Sequence, residues 1–142
     1  MPSPTIHASA VLVGARAVLI RGPSGSGKSR LALELIAAAR GGTLRFARLV
    51  GDDRVHVEAA HGRLLVRPAA VLAGMIELRG VGILRLPYEP SAVIGLVVDL
   101  AAEPARLPDA QQQRTELEGI ALARLAVAAG KPALPAVLAL LT

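Results

Sequence analysis

Residues 22–29 read Gly-Pro-Ser-Gly-Ser-Gly-Lys-Ser, which satisfies the pattern GxxxxGK[ST] of a phosphate-binding loop. An apolar run, Ala17-Val18-Leu19-Ile20, precedes the loop and is typical of a buried strand. The glycines allow backbone angles that a Cβ would forbid, so successive N–H groups can surround an anion at the start of the following helix. This order of strand, loop and helix predicts a nucleotide-phosphate site, in which Lys28 supplies a positive charge and Ser29 a hydroxyl for Mg²⁺.

Beyond the loop, the sequence predicts a single α/β domain over residues 1–142, with a mainly β core and flanking helices. Apolar runs predict strands at His7–Val13, Ala17–Ile20, Leu44–Val50, Val55–Glu58, Leu64–Val66 and Ile94–Leu100, and the first two are expected to pair. Helical spacing predicts a helix from Lys28 to Arg40, a short turn over Val71–Met75 and a terminal helix over Ala133–Leu141. The pattern of Leu117–Ala128 fits a helix or a strand equally well.

The composition favours a folded, cytoplasmic protein. Hydrophobic residues make up 53% of the chain and charged residues 19%, and no cysteine is present. The net charge is +5, but the arginines are scattered, and Phe46 and Tyr88 are the only aromatic residues. Single-stranded nucleic-acid binding needs stacking platforms beside positive charge, so no nucleic-acid partner is expected. The N-terminus lacks a signal-peptide pattern. No apolar run is long enough to predict a membrane-spanning segment, so no membrane partner is expected.

Phosphoryl transfer from a nucleotide requires more than the loop, namely a group that orients the acceptor, an acidic Mg²⁺ ligand and a further positive charge. Asp52-Asp53, Glu77 and Arg106 are candidates for these three roles. A competing acid is Asp99, because Ile94–Asp99 matches the generic pattern of an apolar strand followed by an aspartate better than Gly51-Asp52-Asp53 does. The pattern alone therefore favours Asp99 as the second metal-binding acid.

Five blocks of the sequence together resemble the C-terminal catalytic domain of the bacterial HPr kinase/phosphorylase family. They are His7–Ser9, Gly22–Ser29, Ala32–Ile36, Asp52–Val55 and Ile76–Ile83. The resemblance extends from His7 to about Pro108, and the Ile76–Ile83 block, IELRGVGI, is close to a family signature. The resemblance implies the fold of a single P-loop kinase domain, and it favours a strand for the ambiguous segment Leu117–Ala128.

The resemblance implies ATP- and Mg²⁺-dependent phosphorylation of a serine on HPr, the small phosphocarrier of a sugar or nitrogen phosphotransferase system. It assigns the β- and γ-phosphates to the loop residues Gly22, Pro23, Ser24, Gly25, Ser26, Gly27, Lys28 and Ser29. It implies Ser29 and Glu77 as metal ligands, and Asp53 as the base that accepts the serine proton, with Asp52 as its companion. His7, Lys28 and Arg106 match positions that the family uses in catalysis, and the family forms hexamers.

Two departures from the family pattern affect these expectations. Full-length members carry a further N-terminal domain, whereas His7 lies almost at the start of this sequence, as in truncated proteobacterial forms. The family's basic loop for phosphorolysis has only one cation here, Lys131 in Val127–Pro132, so the reverse reaction is not expected. Two alternatives stay open: a P-loop kinase of a small metabolite, and a regulatory module that binds ATP without transferring phosphate.

Overall fold

The computed structural model describes residues 4–103, 109 and 111–141. These residues form ten β-strands, two α-helices and one 3₁₀ helix. In chain order they are β1 (Thr5–Val13), β2 (Arg16–Arg21), α1 (Lys28–Arg40), β3 (Ala47–Gly51), β4 (Arg54–Ala60), β5 (Arg63–Pro68), the 3₁₀ helix (Ala70–Leu72), β6 (Met75–Leu78), β7 (Gly82–Arg85), β8 (Ala92–Leu100), β9 (Arg114–Leu117), β10 (Ile120–Val127) and α2 (Leu134–Leu141). The domain is therefore dominated by strands.

Eight of the strands form one mixed sheet in the order β2-β1-β4-β5-β8-β10-β9, with β3 paired to β1. The sheet closes on itself because β2 also pairs with β8. That pairing is parallel, as is the pairing of β8 with β10. The C-terminal ends of β2 and β8 therefore lie together, at the point where the chain leaves β2 for the loop 22–27. Strands β6 and β7 form a separate antiparallel hairpin.

The central residues of β2, Ala17–Ile20, are buried on both faces of the strand, which explains why this stretch is apolar without interruption. Val18 and Ile20 belong to the hydrophobic cluster that contains Leu31 and Leu35 of α1. Leu19, which points the other way along the strand, belongs to a second cluster. Burial on both sides fixes the position of β2, and with it the start of the phosphate loop.

The structure confirms most of the predicted elements. Strands β1 and β2 pair antiparallel, as expected. The ambiguous segment Leu117–Ala128 forms the last residue of β9 and the whole of β10. The two strands are joined by Glu118 and Gly119, which both have positive φ. Strand β3 begins later than the predicted Leu44, because the N–H groups of Thr43 and Leu44 instead bond Ala38 O and close the end of α1. Within the described ranges, no helix has the length and apolarity needed to span a bilayer.

Candidate nucleotide and acidic-pair site

The loop 22–27 has the backbone geometry that its glycines predict. Gly25 and Gly27 have φ angles of 80° and 100°, in the left-handed region that favours glycine. Glycine suits position 22 for a different reason, since a Cβ there would lie 3.1 Å from Leu100 Cβ and 3.2 Å from Leu100 O, and Ser26 Oγ would have to move. The loop therefore packs tightly against the end of β8 before α1 begins at Lys28.

Two polar groups of the loop are buried. Lys28 is 7% exposed, and its Nζ donates hydrogen bonds to Gly22 O and Pro23 O at 2.9 and 3.1 Å. Ser26 Oγ is buried and has no hydrogen-bond partner among the described residues. Buried hydroxyls are normally paired, so an unpaired one within a phosphate-loop sequence is consistent with an anion that would accept its hydrogen bond.

Asp52 lies beside the phosphate loop. Its carboxylate is almost fully buried and accepts hydrogen bonds from Ser29 Oγ, at 2.9 Å to Oδ1 and 2.8 Å to Oδ2. Ser29 belongs to the first turn of α1, and Asp52 directly follows β3. The fold thus joins two oxygen-bearing side chains that are 23 positions apart in the sequence.

Asp53 points away from that contact toward the start of β1. Its Oδ1 lies 2.9 Å from His7 Nε2, and its side chain is 63% exposed. The backbone at Asp53 has a φ of 68°, and the Ala8 N–H donates to Asp53 O at 3.1 Å. This left-handed turn, which aspartate tolerates better than most residues, separates the two carboxylates of the pair.

Asp99, the acid that the generic pattern favours, does not contact Ser29. Its carboxylate accepts hydrogen bonds from Arg21 Nε and Nη2 at 2.7 and 2.8 Å, and from Arg124 Nε at 2.5 Å. Burial alone would raise the pKa of Asp99, but the hydrogen bonds and positive charges of the two arginines lower it below its ordinary value. The structure therefore assigns Asp99 to an ion-pair cluster that links β2, β8 and β10.

The β6–β7 hairpin brings Arg79 to the phosphate loop. A Cβ placed on Gly25 would lie 3.7 Å from Arg79 Nη2. Glu77 is exposed on β6, opposite Ile83, and makes no hydrogen bond or ion pair with a described residue. Throughout the described ranges, no group of three His, Cys, Asp or Glu side chains could hold a metal ion. Arg106 lies outside the described residues.

Two further side chains lie at the site, Ser9 and Arg79. The sequence predicts no role for Ser9 and contains Arg79 only within the signature block Ile76–Ile83. Ser9 Oγ donates to Asp52 Oδ1 at 2.5 Å. The spacing of His7 and Ser9 offered a signal, because residues two apart on a strand share one face. Arg79 had no comparable signal, since its approach to Gly25 depends on how the hairpin packs.

A groove of about 730 Å³ lies away from the phosphate loop and the acidic pair. Its lining includes Arg16 and Val18 of β2, Leu96 of β8 and Leu140 of α2. It includes neither the loop 22–29 nor the acidic pair. The groove is therefore not an acceptor pocket for a phosphate bound at the loop.

The protein is thus a sheet-dominated domain in which a phosphate-loop sequence joins β2 to α1 and an acidic pair lies beside that loop. The family model of the HPr Serine kinase C-terminal domain matches residues 1–123. The chain belongs to that family.

Named relatives agree with this assignment. An HPr kinase/phosphorylase of Clostridium tetani is 39% identical over 106 residues, which cover 70% of this chain and 32% of the relative. One of Streptococcus thermophilus is 44% identical over 92 residues, or 63% of this chain and 28% of the relative. The matched regions thus span about a third or less of these relatives' length.

A solved structure has the same fold. It is the Hpr(Ser) kinase/phosphatase from Coxiella burnetii, which superposes with a TM-score of 0.78 at 24% sequence identity. The superposition covers 98% of this chain and 88% of that one. The arrangement of strands and helices is therefore that of a known HPr kinase domain.

Proposed function

We propose that this protein transfers the γ-phosphoryl group of ATP to a serine of an HPr-type phosphocarrier protein, with Mg²⁺ as the metal. Family membership supports the reaction class. The observation that carries the proposal is the hydrogen bonding of the acidic pair. Asp52 accepts a hydrogen bond from Ser29 of the phosphate loop, and Asp53 is hydrogen-bonded to His7. A donor site and an acceptor site thereby meet at two consecutive residues.

The donor site fits a magnesium nucleotide. Mg²⁺ prefers oxygen ligands, and the enzymes that use it bind it through one or two carboxylates together with substrate phosphates. The Ser29 hydroxyl and the Asp52 carboxylate supply such oxygens, and the unpaired Ser26 hydroxyl supplies a donor for phosphate. When bound, the ion neutralises charge that develops on the phosphate oxygens. Glu77 is proposed as a further ligand from the family resemblance.

The acceptor site consists of Asp53 and His7. The hydrogen bond from His7 uses Asp53 Oδ1, which leaves the exposed Oδ2 to accept the proton of an incoming serine hydroxyl. The serine oxygen then forms a bond to the γ-phosphorus as the bond to the β,γ-bridging oxygen breaks, and ADP leaves. His7 holds the carboxylate in place, while Lys28 and the loop amides hold the phosphates. Arg106 is proposed from the family resemblance as the cation on the transferring group.

Labelled ATP separates this proposal from its two alternatives. Transfer of label to a serine of HPr supports the proposed kinase. Turnover only with a small metabolite would support a metabolite kinase, although the 730 Å³ groove lies away from the loop. Tight ATP binding without transfer would support a regulatory module. The last two results contradict the proposal.

Two further parts of the proposal rest on the sequence and the family resemblance. The protein is assigned to the cytoplasm, and six copies are proposed to assemble into a hexamer. Sedimentation velocity of the purified 14.6 kDa chain tests the assembly. A hexameric species is expected, and a monomer at all concentrations would contradict it.

A further inference from the structure

Ser9 is a polar residue at a fully buried position of β1, with 0% of its surface exposed. Its neighbours Ala8 and Ala10 are buried apolar residues on the opposite face of the strand. A buried hydroxyl costs folding free energy unless it is hydrogen-bonded. The partners of Ser9 are therefore informative about its role.

Both partners of Ser9 belong to the acidic pair. Ser9 Oγ donates to Asp52 Oδ1 at 2.5 Å, and it is the acceptor of a longer contact from the Asp53 N–H at 3.5 Å. Asp52 Oδ2, by contrast, has its hydrogen bond among described residues from Ser29 alone. Oδ1 of Asp52 is thus held by both serines, whereas Oδ2 is bonded by the phosphate-loop serine without Ser9.

The geometry of β1 explains why this position can reach the pair. His7 and Ser9 lie two residues apart, so their side chains share one face of the strand. The pairing of β1 with β3 is irregular between Ala10 and Val11, and Ala10 is opposite Gly51, the last residue before the pair. Three consecutive residues of β1 therefore contact the two aspartates. His7 and the Ala8 N–H bond Asp53, and Ser9 bonds Asp52.

We propose that Ser9 is a positioning residue that holds the Asp52 carboxylate in the orientation needed for the divalent cation of the bound nucleotide. The inference rests on the proposed function, because it assumes that Asp52 faces a Mg²⁺–nucleotide. The physical reason is that a hydrogen bond to a carboxylate ligand fixes its rotamer and removes the cost of ordering it on binding. Among the described residues, Ser9 forms side-chain hydrogen bonds only with Asp52 and the Asp53 N–H, so its effect on a bound nucleotide should pass through Asp52.

A matched pair of variants separates the hydroxyl from the volume of the side chain. Ser9→Thr and Ser9→Val add nearly the same volume to the buried site, but only threonine keeps the oxygen. Binding of a fluorescent ATP analogue is measured for both, once with MgCl₂ and once with EDTA. Thermal unfolding of each variant is recorded alongside.

The Ser9→Val protein is expected to bind the magnesium nucleotide about 10- to 100-fold more weakly than Ser9→Thr, the range typical for loss of a ligand's supporting hydrogen bond. The two variants are expected to bind equally in EDTA. Equal affinities in Mg²⁺, or equal losses with and without Mg²⁺, would overturn the proposal. If the Ser9→Val protein does not fold, Ser9→Ala is compared with wild type instead. The Ser9→Ala protein is then expected to show the weaker binding in Mg²⁺ and equal binding in EDTA.

The same variants distinguish this inference from the proposed function. If the wild-type protein phosphorylates HPr but the variants show no Mg²⁺-specific difference, the role of Ser9 is wrong and the kinase assignment stands. If the variants differ in Mg²⁺-dependent binding but no phosphate reaches HPr, the role of Ser9 stands and the kinase assignment is wrong.

Discussion

Asp52 and Asp53 are consecutive residues in opposite environments. Asp52 is buried against two serine hydroxyls, while Asp53 is mostly exposed and paired with a histidine. The left-handed backbone at Asp53 produces this division, because it turns the second side chain away from the first. The proposed mechanism uses this division, with Asp52 on the side of the nucleotide and Asp53 on the side of the acceptor hydroxyl.

Replacing Asp53 tests the acceptor role. In Asp53→Asn the amide cannot accept the serine proton, so the rate of phosphoryl transfer to HPr is expected to fall about 10²- to 10⁴-fold, the usual contribution of a general base. ATP affinity is expected to stay unchanged, since Asp53 does not contact the loop. Initial rates with labelled ATP measure the first quantity and equilibrium binding the second. Glu58→Gln, at an exposed position of β4, provides a charge-matched control.

Replacing Asp99 tests its role in stability. Asp99→Asn leaves Arg21 and Arg124 without their carboxylate, and each of these side chains is less than a third exposed. The free energy of unfolding is expected to fall by about 2 kcal/mol, between the values for exposed and for buried ion pairs. Urea unfolding at neutral pH measures the loss. A variant as stable as wild type, but without Mg²⁺-dependent nucleotide binding, would restore Asp99 as the metal-binding acid.

The pH dependence follows from the same ion pairs. The pKa of Asp99 is lower in the folded protein than its ordinary value of 3.8, so its stabilising contribution is present above that pH. The contribution is lost as the pH falls below 3.8 and through the folded-state pKa. Wild type should therefore lose stability more steeply than Asp99→Asn in this acidic range. Parallel losses in the two proteins would contradict the ion-pair role.

The β6–β7 hairpin places a positive charge beside the phosphate loop. Ile76 is buried in the cluster that contains Leu31 and Leu35 of α1, which anchors the hairpin. Arg79 then lies beside Gly25. A guanidinium at this position suits phosphate recognition, because its fork of N–H groups matches phosphate oxygens.

Removing the arginine tests this placement. Arg79→Ala is expected to weaken ATP binding about tenfold, which corresponds to one charge-assisted hydrogen bond, and the loss should shrink as salt is raised. Titration of ATP at low and high ionic strength measures both effects. Arg85→Ala removes an exposed arginine from the other strand of the same hairpin and serves as the control. Equal effects of the two substitutions would show that only general charge attraction is involved.

Local patterns predicted most of the elements, because hydrophobic periodicity and turn residues can be recognised within a short stretch of sequence. The β6–β7 hairpin was not among the predicted strands. The apolar run before the loop, the glycines and the helical spacing after it predicted β2, the loop and α1. The segment Leu117–Ala128 was ambiguous, because alanine-rich alternation fits both helix and strand; pairing with β8 decides it. Residue propensities alone cannot predict which strand this segment pairs with.

The contacts that organise the site were not predictable in the same way. Ser9 meets Asp52 across 43 positions and Arg21 meets Asp99 across 78, and both contacts depend on strand pairing. The generic strand-then-aspartate pattern favoured Asp99, although the structure brings Asp52 to Ser29. A pattern locates an acid at a strand end, but the packing of the strands decides which acid reaches the loop.

The reverse reaction, phosphorolysis of phosphoserine, is expected to be weak in this protein. Phosphorolysis needs a second anion, inorganic phosphate, near an already anionic site, and the segment after β10 supplies only Lys131 as a cation. Serine-phosphorylated HPr incubated with the protein and inorganic phosphate should release little pyrophosphate. Prompt release of pyrophosphate would contradict this expectation.

In the proposed protein-serine kinase, the phosphate loop and the acceptor site meet at the acidic pair. Mass spectrometry of HPr after incubation with ATP, Mg²⁺ and the purified protein is the decisive test of this activity. We expect one added phosphate on a serine of HPr, and none on an HPr variant in which that serine is alanine. If HPr stays unmodified while the protein binds ATP tightly, the kinase assignment is wrong.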